Sequence, residues 1–209
     1  MKRGFDMKKY LLGFGVLGCF LMGMGVHCLT PLPIRDSVTA GYPERFIIST
    51  ANSFETQLHN ECSAFSTAYV LRHFGESQEG LALYEQFQYK LPFSGYVLPK
   101  GILTYFDNQP YDVKLFTGTW ETLKTQVAKG DPVIVLVGDG LNWQHYMTVV
   151  GYDDTLNEVY FFDSLREGDE NESEPGNRTL TTDYFLSMWD NGLPLFNQIY
   201  FTIHSTSRS

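Results

Sequence analysis

Gln57-Leu58-His59-Asn60-Glu61-Cys62-Ser63-Ala64-Phe65-Ser66-Thr67-Ala68-Tyr69-Val70-Leu71-Arg72-His73-Phe74-Gly75 is the stretch on which the reading of this chain turns. Ala64, Phe65, Ala68, Leu71 and Phe74 recur at helical spacing, Asn60 is an N-cap type and Gly75 a helix stop. The stretch therefore predicts a loop that hands one cysteine to the first turn of a helix. Backbone N–H groups at a helix start lack helical partners and favour a thiolate over a thiol. Most free cysteines are simply small core residues, so a nucleophilic reading of Cys62 rests on what lies downstream.

Downstream, Trp143 to Tyr152 and Glu158 to Asp163 read as the two arms of a hairpin whose turn is centred near Asp154 or Thr155. Facing residue numbers then sum to about 308 to 310, which sets His145 opposite Asp163 or one diagonal step away on the same face. A slip of one residue separates them. A thiol, an imidazole and an orienting carboxylate are what acyl transfer by cysteine requires. Gln57, five residues before Cys62, can give a side-chain amide to a developing oxyanion, with the Cys62 backbone N–H as a second donor. His59 precedes Cys62 on the loop with no strand to aim it and reads as a surface residue.

The first 28 residues differ from the rest. Lys2, Arg3, Lys8 and Lys9 precede an apolar run from Tyr10 to Val26, the layout of an export signal or an N-terminal membrane anchor over residues 1–28. The expected location is outside the cytoplasmic membrane, secreted or anchored at its outer face. A lipid-attachment reading at Cys19 is opposed by the apolar run continuing past it. Residues 29–43, with Pro31, Pro33 and Pro43, read as an extended linker, and residues 44–209 as one domain. Without residues 1–28 the body holds 11 basic and 23 acidic residues, a net of −12. Such a charge excludes nucleic-acid binding. Cys62 is the body's single thiol, so no internal disulfide can form. Cys-x-x-Cys or similar ligand spacing is absent, and no metal or cofactor is expected.

In order along the body, a short strand at 45–50 leads to the Cys62 helix, followed by helices at about 77–89 and 102–107. A strand at 112–116 and a helix at 120–128 capped by Thr119 come next. Strands then dominate: Val133 to Val137, the two hairpin arms, and 198–203, with a helix from Thr182 to Trp189 between. Residues 93–101 read either as a plain connection or as a cleft wall. The Arg166 to Arg178 loop is acidic, and its triplets at Asn171 and Asn177 have the form of glycosylation sites that read as accidental. The fold class is α+β, with a helical N-terminal half and an antiparallel-sheet C-terminal half.

At Gln57 to Cys62 with the helix to Gly75, at His145-Tyr146-Met147-Thr148-Val149-Val150-Gly151-Tyr152-Asp153, and at Phe161-Phe162-Asp163, the chain resembles papain-like cysteine peptidases. It is most similar to the bacteriocin-processing peptidases that cut double-glycine leaders, in a stand-alone form. The resemblance covers roughly Phe46 to Ile203 and implies a Cys62, His145, Asp163 triad with Gln57 at the oxyanion hole. Transporter-linked members commonly carry glycine after the cysteine and proline after the aspartate; here Ser63 and Ser164 stand there. No phosphate-binding Gly-Lys-Ser/Thr loop is present, so the chain is not an ABC exporter. The expected function is an exported cysteine peptidase acting through a thioester on a peptide or protein, as a monomer. Two alternatives stand beside it: a cell-wall amidase or endopeptidase, whose nucleophile motif Glu61-Cys62-Ser63-Ala64-Phe65 resembles, and a non-catalytic peptide-binding domain of the same fold.

Overall fold

The computed structural model describes residues 7–165 and 175–208. Lys2 and Arg3 of the leader, and residues 166–174 of the acidic loop with Asn171, lie outside the described residues. The chain divides into two units, residues 1–31 and 32–209. In the first, Met7–Leu29 forms helix α1. Among the described residues no helix is long and apolar enough to cross a membrane.

The second unit takes up part of the segment expected to be a linker. Ile34–Arg35 (β1) pairs in parallel with Phe116–Thr117. The next residue, Asp36, accepts hydrogen bonds from Gln126 Nε2 at 2.6 Å and from the Tyr200 hydroxyl. Arg45–Ile47 (β2) then pairs antiparallel with Gly151–Asp153. Strand pairing and a partly buried carboxylate contact hold these residues, so extended backbone here is not free chain.

The helical front half consists of α2 (Cys62–His73), α3 (Gly80–Gln86) and α4 (Pro99–Tyr105). Helix α2 is buried on nearly every side, with small residues and hydroxyls such as Ser66 and Thr67 enclosed among its apolar ones. It closes with Gly75 N–H on Arg72 O at 3.0 Å and Glu76 N–H on Leu71 O at 3.1 Å, the paired bonds of a Schellman ending. Helix α3 is shorter than the expected 77–89. Its first N–H, at Gly80, is taken by the Glu55 carboxylate rather than by a Ser77 cap. Helix α4 starts three residues before the expected Ile102, because Pro99 occupies the first turn, where a missing N–H costs nothing.

The remaining elements are β3 (Tyr111–Thr117), α5 (Trp120–Val127), β4 (Val133–Asp139), β5 (Trp143–Asp153), β6 (Glu158–Phe162), β7 (Arg178–Thr181), α6 (Thr182–Trp189) and β8 (Ile199–Ser205). Thr119 caps α5 through a capping box with Thr122. Thr181, not the expected Thr182, caps α6 by accepting from Tyr184 N at 3.4 Å. The sheet runs β1-β3-β8-β4-β5-β6-β7 with β2 beside β5, and among the described residues only the β1–β3 pair is parallel. Ala64, Leu71, Leu83 and Ile102 pack with Ile134, Leu136, Tyr146 and Phe201 on one side. Leu123, Val127, Phe185 and Trp189 pack with Val133, Val135, Met147 and Tyr200 on the other. Covered on both faces, β4 is apolar at successive positions, the pattern its run of valines and isoleucine spells out.

The β5–β6 hairpin places the residues that matter most. Beside the turn its pairs are Asp153–Glu158, Tyr152–Val159 and Gly151–Tyr160, whose numbers sum to 311; beyond a bulge they are Val149–Phe161 and Thr148–Phe162, which sum to 310. An odd sum carried through would set His145 and Asp163 on opposite faces. The extra residue at the bulge, Val150, restores the even register. The turn itself is organised by Asp153, whose Oδ1 accepts from Thr155 N at 2.9 Å and Leu156 N at 3.1 Å.

Candidate active site

Cys62 is the first residue of α2 and is 2% exposed. The expected Asn60 cap is not made: Asn60 Nδ2 reaches away to Ser94 O at 2.9 Å, and Glu61 holds the cap position without a side-chain bond to the helix. The Glu61 carboxylate instead accepts the His59 N–H at 2.7 Å, and Gln57 Nε2 donates to the His59 carbonyl. The loop is thus tied down through His59's backbone while its side chain stays exposed. No side chain caps the turn that carries the sulfur.

Helix α2 is tied to β5 by Ser66 Oγ donating to Tyr146 O at 3.2 Å and Thr148 Oγ1 to Ser66 O at 3.4 Å. The neighbouring residue on β5 is His145, 3% exposed. The β5–β6 ladder ends at Thr148–Phe162, and past that point Asp163 leaves the strand. His145 Nε2 meets Asp163 Oδ1 at 2.7 Å, and the ring's other nitrogen, Nδ1, is left for its hydrogen bond with Cys62. Burial alone would make the His145 ring less basic. The bonds to Asp163 and Cys62 outweigh burial and push it up to about 9. Burial likewise opposes ionisation of the fully enclosed Asp163. Its His145 and Arg178 partners hold the carboxyl well below the usual carboxylate range.

Gln57 is joined to the same turn. Its N–H donates to Ser164 O at 2.8 Å, and Ser164 Oγ donates to Gln57 Oε1 at 2.6 Å. The structure therefore brings Cys62, His145, Asp163 and Gln57 into one connected cluster, with Ser164 as the link between the last two. Such a cluster has a sulfur beside an imidazole that holds its proton, a carboxylate that orients the ring, and a side-chain amide next to the sulfur's loop. It is equipped for attack by a thiol and for proton delivery to a leaving group.

The model of the Peptidase_C39 like family matches residues 50–191. The chain belongs to that family. It is a cysteine peptidase with the papain-like α+β fold. Among solved structures it is similar to the peptidase domain of Streptococcus ComA, a bi-functional ABC transporter involved in quorum sensing, at 17% identity and a TM-score of 0.53, covering 75% of this chain and 99% of that one. It is also similar to a double glycine motif protease from an AMS/PCAT transporter in complex with the leader peptide. There the identity is 17% and the TM-score 0.52, covering 84% of this chain and 99% of that one. No curated protein matches it at the sequence level.

In this C39-like peptidase three residues at the site escaped the sequence reading. Ser164 was visible only as a departure from the transporter-linked pattern; its hydroxyl is the link to Gln57. Asn177 was read as an accidental glycosylation triplet, yet it is 6% exposed, and both ends of its amide are bonded to the Asp163 backbone. Arg178 opens β7 and pairs with Asp163 Oδ2. The signal that could have found them is the strand that begins at Arg178, since a strand pairing with β6 must run past Asp163. The 93–101 segment lies beside the site: Ser94 receives Asn60, and Tyr96 stacks on Tyr146 at 5.6 Å. The Tyr96 and Tyr146 phenols are both held protonated, by burial first; the Tyr146 phenol and then the Cys62 sulfur add to this at Tyr96, and the Cys62 sulfur at Tyr146.

Proposed function

We propose that this chain is an exported peptidase that hydrolyses a peptide bond with Cys62 as nucleophile, His145 as acid and base, Asp163 as the orienting carboxylate and Gln57 as oxyanion donor. The observation that carries the reading is the two-sided His145 ring, bonded to Asp163 at 2.7 Å on one edge and to Cys62 on the other. Cys62 Sγ adds to the substrate carbonyl carbon, and the carbonyl electrons move to oxygen. Gln57 has two amide hydrogens, of which one goes to His59, leaving one for that oxygen. Collapse expels the amine, which takes its proton from His145 and leaves a thioester. Water then adds to the thioester, giving a proton to His145. The carboxylic acid departs and Sγ is restored. Asp163 stays ionised throughout, because Arg178 remains cationic beside it even while His145 has given up its proton.

The substrate class is an extended peptide, a reading supported by the leader-peptide complex of the structurally similar protease. Export is supported by the basic-then-apolar leader, which a reporter fused after residue 44 would test by activity outside the cytoplasmic membrane. The chemistry is tested by iodoacetamide at pH 6 together with a peptide library. Cys62 alkylates faster than a free cysteine, His145→Ala removes the excess, and Cys62→Ser removes cleavage. Equal alkylation rates in wild type and His145→Ala, with no cleavage by either, would refute the reading.

A further inference from the structure

We infer that Asn177 and Arg178 are positioning residues for this site, a two-residue clamp at the start of β7 that fixes the Asp163 carboxylate against the His145 ring. The inference rests on the Cys62–His145–Asp163 reading above and adds residues to it. Asp163 lies just past the last β5–β6 pair, where ladder hydrogen bonds no longer hold its backbone. Asn177 replaces them: Asp163 N–H donates to Asn177 Oδ1 at 2.7 Å, and Asn177 Nδ2 donates to Asp163 O at 2.9 Å. One buried amide thereby satisfies both backbone groups of the residue that must be aimed.

Arg178 acts on the side chain. His145 and the Leu165 N–H, the latter at 3.0 Å, take Oδ1, while the guanidinium takes Oδ2. With a separate partner on each oxygen the carboxylate cannot rotate away from the ring. The chain comes close enough for this because Gly176 sits at φ +73°, and a Cβ there would overlap the Phe161 carbonyl. Arg178 also divides the carboxylate's charge between two cations, so it opposes the proton on His145 while keeping Asp163 ionised. Among the described residues, the charged and titratable groups around the pair are Cys62 from α2, with the Tyr96 and Tyr146 phenols on its side, and Arg178 from β7. Gln57, Ser164 and Asn177 are neutral.

The test uses the full chain, with Arg178→Gln, Arg178→Lys and Asn177→Ser. The readouts are kcat and KM on a cleaved peptide, the pH profile of kcat/KM, and the His145 ring titration followed by NMR. Arg178→Gln is expected to lower kcat about tenfold or more with KM nearly unchanged, and to move the His145 titration upward by roughly half a unit or more. Arg178→Lys restores the titration because it keeps the charge. Asn177→Ser, too short to span both backbone groups, lowers kcat with the titration near that of wild type. Wild-type kcat and an unmoved titration in folded Arg178→Gln would overturn the inference. So would an equal loss in Gln and Lys variants without any titration shift, the mark of a merely structural role. If Arg178→Gln does not fold, Asn177→Ser decides: full kcat in that variant overturns the clamp. A wild type that neither cleaves peptide nor shows His145-dependent alkylation refutes the parent reading instead, and the NMR arm still reports on Arg178.

Discussion

Gln57 and Ser164 are joined twice, by a backbone bond of 2.8 Å from Gln57 N–H to Ser164 O and by Ser164 Oγ donating to Gln57 Oε1 at 2.6 Å. The second bond decides which end of the amide is which. A hydroxyl donating to Oε1 fixes the oxygen toward Ser164 and turns the NH₂ group the other way, where a donor is wanted. A proline in place of Ser164 has no hydroxyl to do this.

Ser164→Ala should therefore release the Gln57 amide without touching the nucleophile. An oxyanion donor is worth roughly 10²–10³ in kcat, and Gln57→Ala is expected to lose about that much. Ser164→Ala, which loosens the donor rather than removing it, should lose about tenfold. KM should hardly change in either. Steady-state kinetics on one peptide for the two variants and their double mutant check this. Losses that multiply in the double mutant would show that the two residues act independently.

The pH dependence of stability follows from His145. Its ring is raised from 6.5 to about 9 in the folded protein. A raised group stabilises fully below its unfolded value and loses that contribution as pH climbs through the folded one. Melting temperature should thus fall between about pH 6.5 and pH 9, and the fall should flatten in His145→Ala. Asp163 has the opposite sign: its depressed carboxyl contributes above the ordinary carboxylate range and fails as pH drops through and below it. Thermal melts from pH 3 to pH 10 separate the two limbs. A profile of His145→Ala parallel to wild type above pH 6.5 would contradict this assignment.

Much of this site was legible because its chemistry is carried by local signals. Cys62 is announced by helical periodicity and Gly75, and the 133–137 run by unbroken apolar residues, all but Leu136 β-branched. His145 and Asp163 needed a register. The even sum inferred for the hairpin holds only beyond Val150, because the ladder next to the turn runs at 311 and is corrected by the bulge. Gly151 stands at the bulge, and an isolated glycine in a strand often marks one, but it does not say which way the register shifts. The juxtaposition follows from an even sum even though the observed turn centre lies half to one and a half residues beyond Asp154 or Thr155. Asn177 and Arg178 were illegible for another reason. Their function is set by tertiary pairing across fourteen or fifteen residues of acidic loop, and an Asn in an Asn-x-Thr triplet reads the same whether its amide is solvated or locked on a backbone. The Asn60 cap is not made because α2 begins at Cys62, which puts Glu61 at the cap position and leaves Asn60, bonded to Ser94, one residue too early.

Asp36 is the latch of the segment that was expected to be free linker. Its carboxylate is shared by Gln126 Nε2 and the Tyr200 hydroxyl, which is itself kept protonated by burial and by this bond. Asp36→Ala leaves both donors without their acceptor. Hydrogen bonds to a charged group contribute about 1.5–3 kcal/mol, and 1 kcal/mol corresponds to roughly 2–4 °C for a chain of this size. Counting one such bond, the expected outcome is a melting temperature lower by about 3–12 °C and faster proteolytic cutting between residues 32 and 44, with kcat retained. An unchanged cutting rate would mean that the β1 pairing holds the segment by itself.

Gly176 separates the clamp's geometry from ordinary backbone cost. Gly176→Ala meets two penalties: a left-handed φ of +73°, worth about 1–2 kcal/mol for a residue with a Cβ, and overlap with the Phe161 carbonyl. Gly130, at φ +100° with open space around the Cβ position, carries only the first penalty. Both alanine variants should therefore lose stability, but only Gly176→Ala must push Asn177 and Arg178 off Asp163 to relieve its contact. It should lose kcat as well, by an amount similar to that of Asn177→Ser, and the His145 titration should shift with it. Gly130→Ala should melt a few degrees lower and cleave as wild type does. Paired melts and kinetics on the two variants decide the matter: equal kcat in both would show that Asp163 keeps its aim without the close approach of the Gly176 backbone to β6.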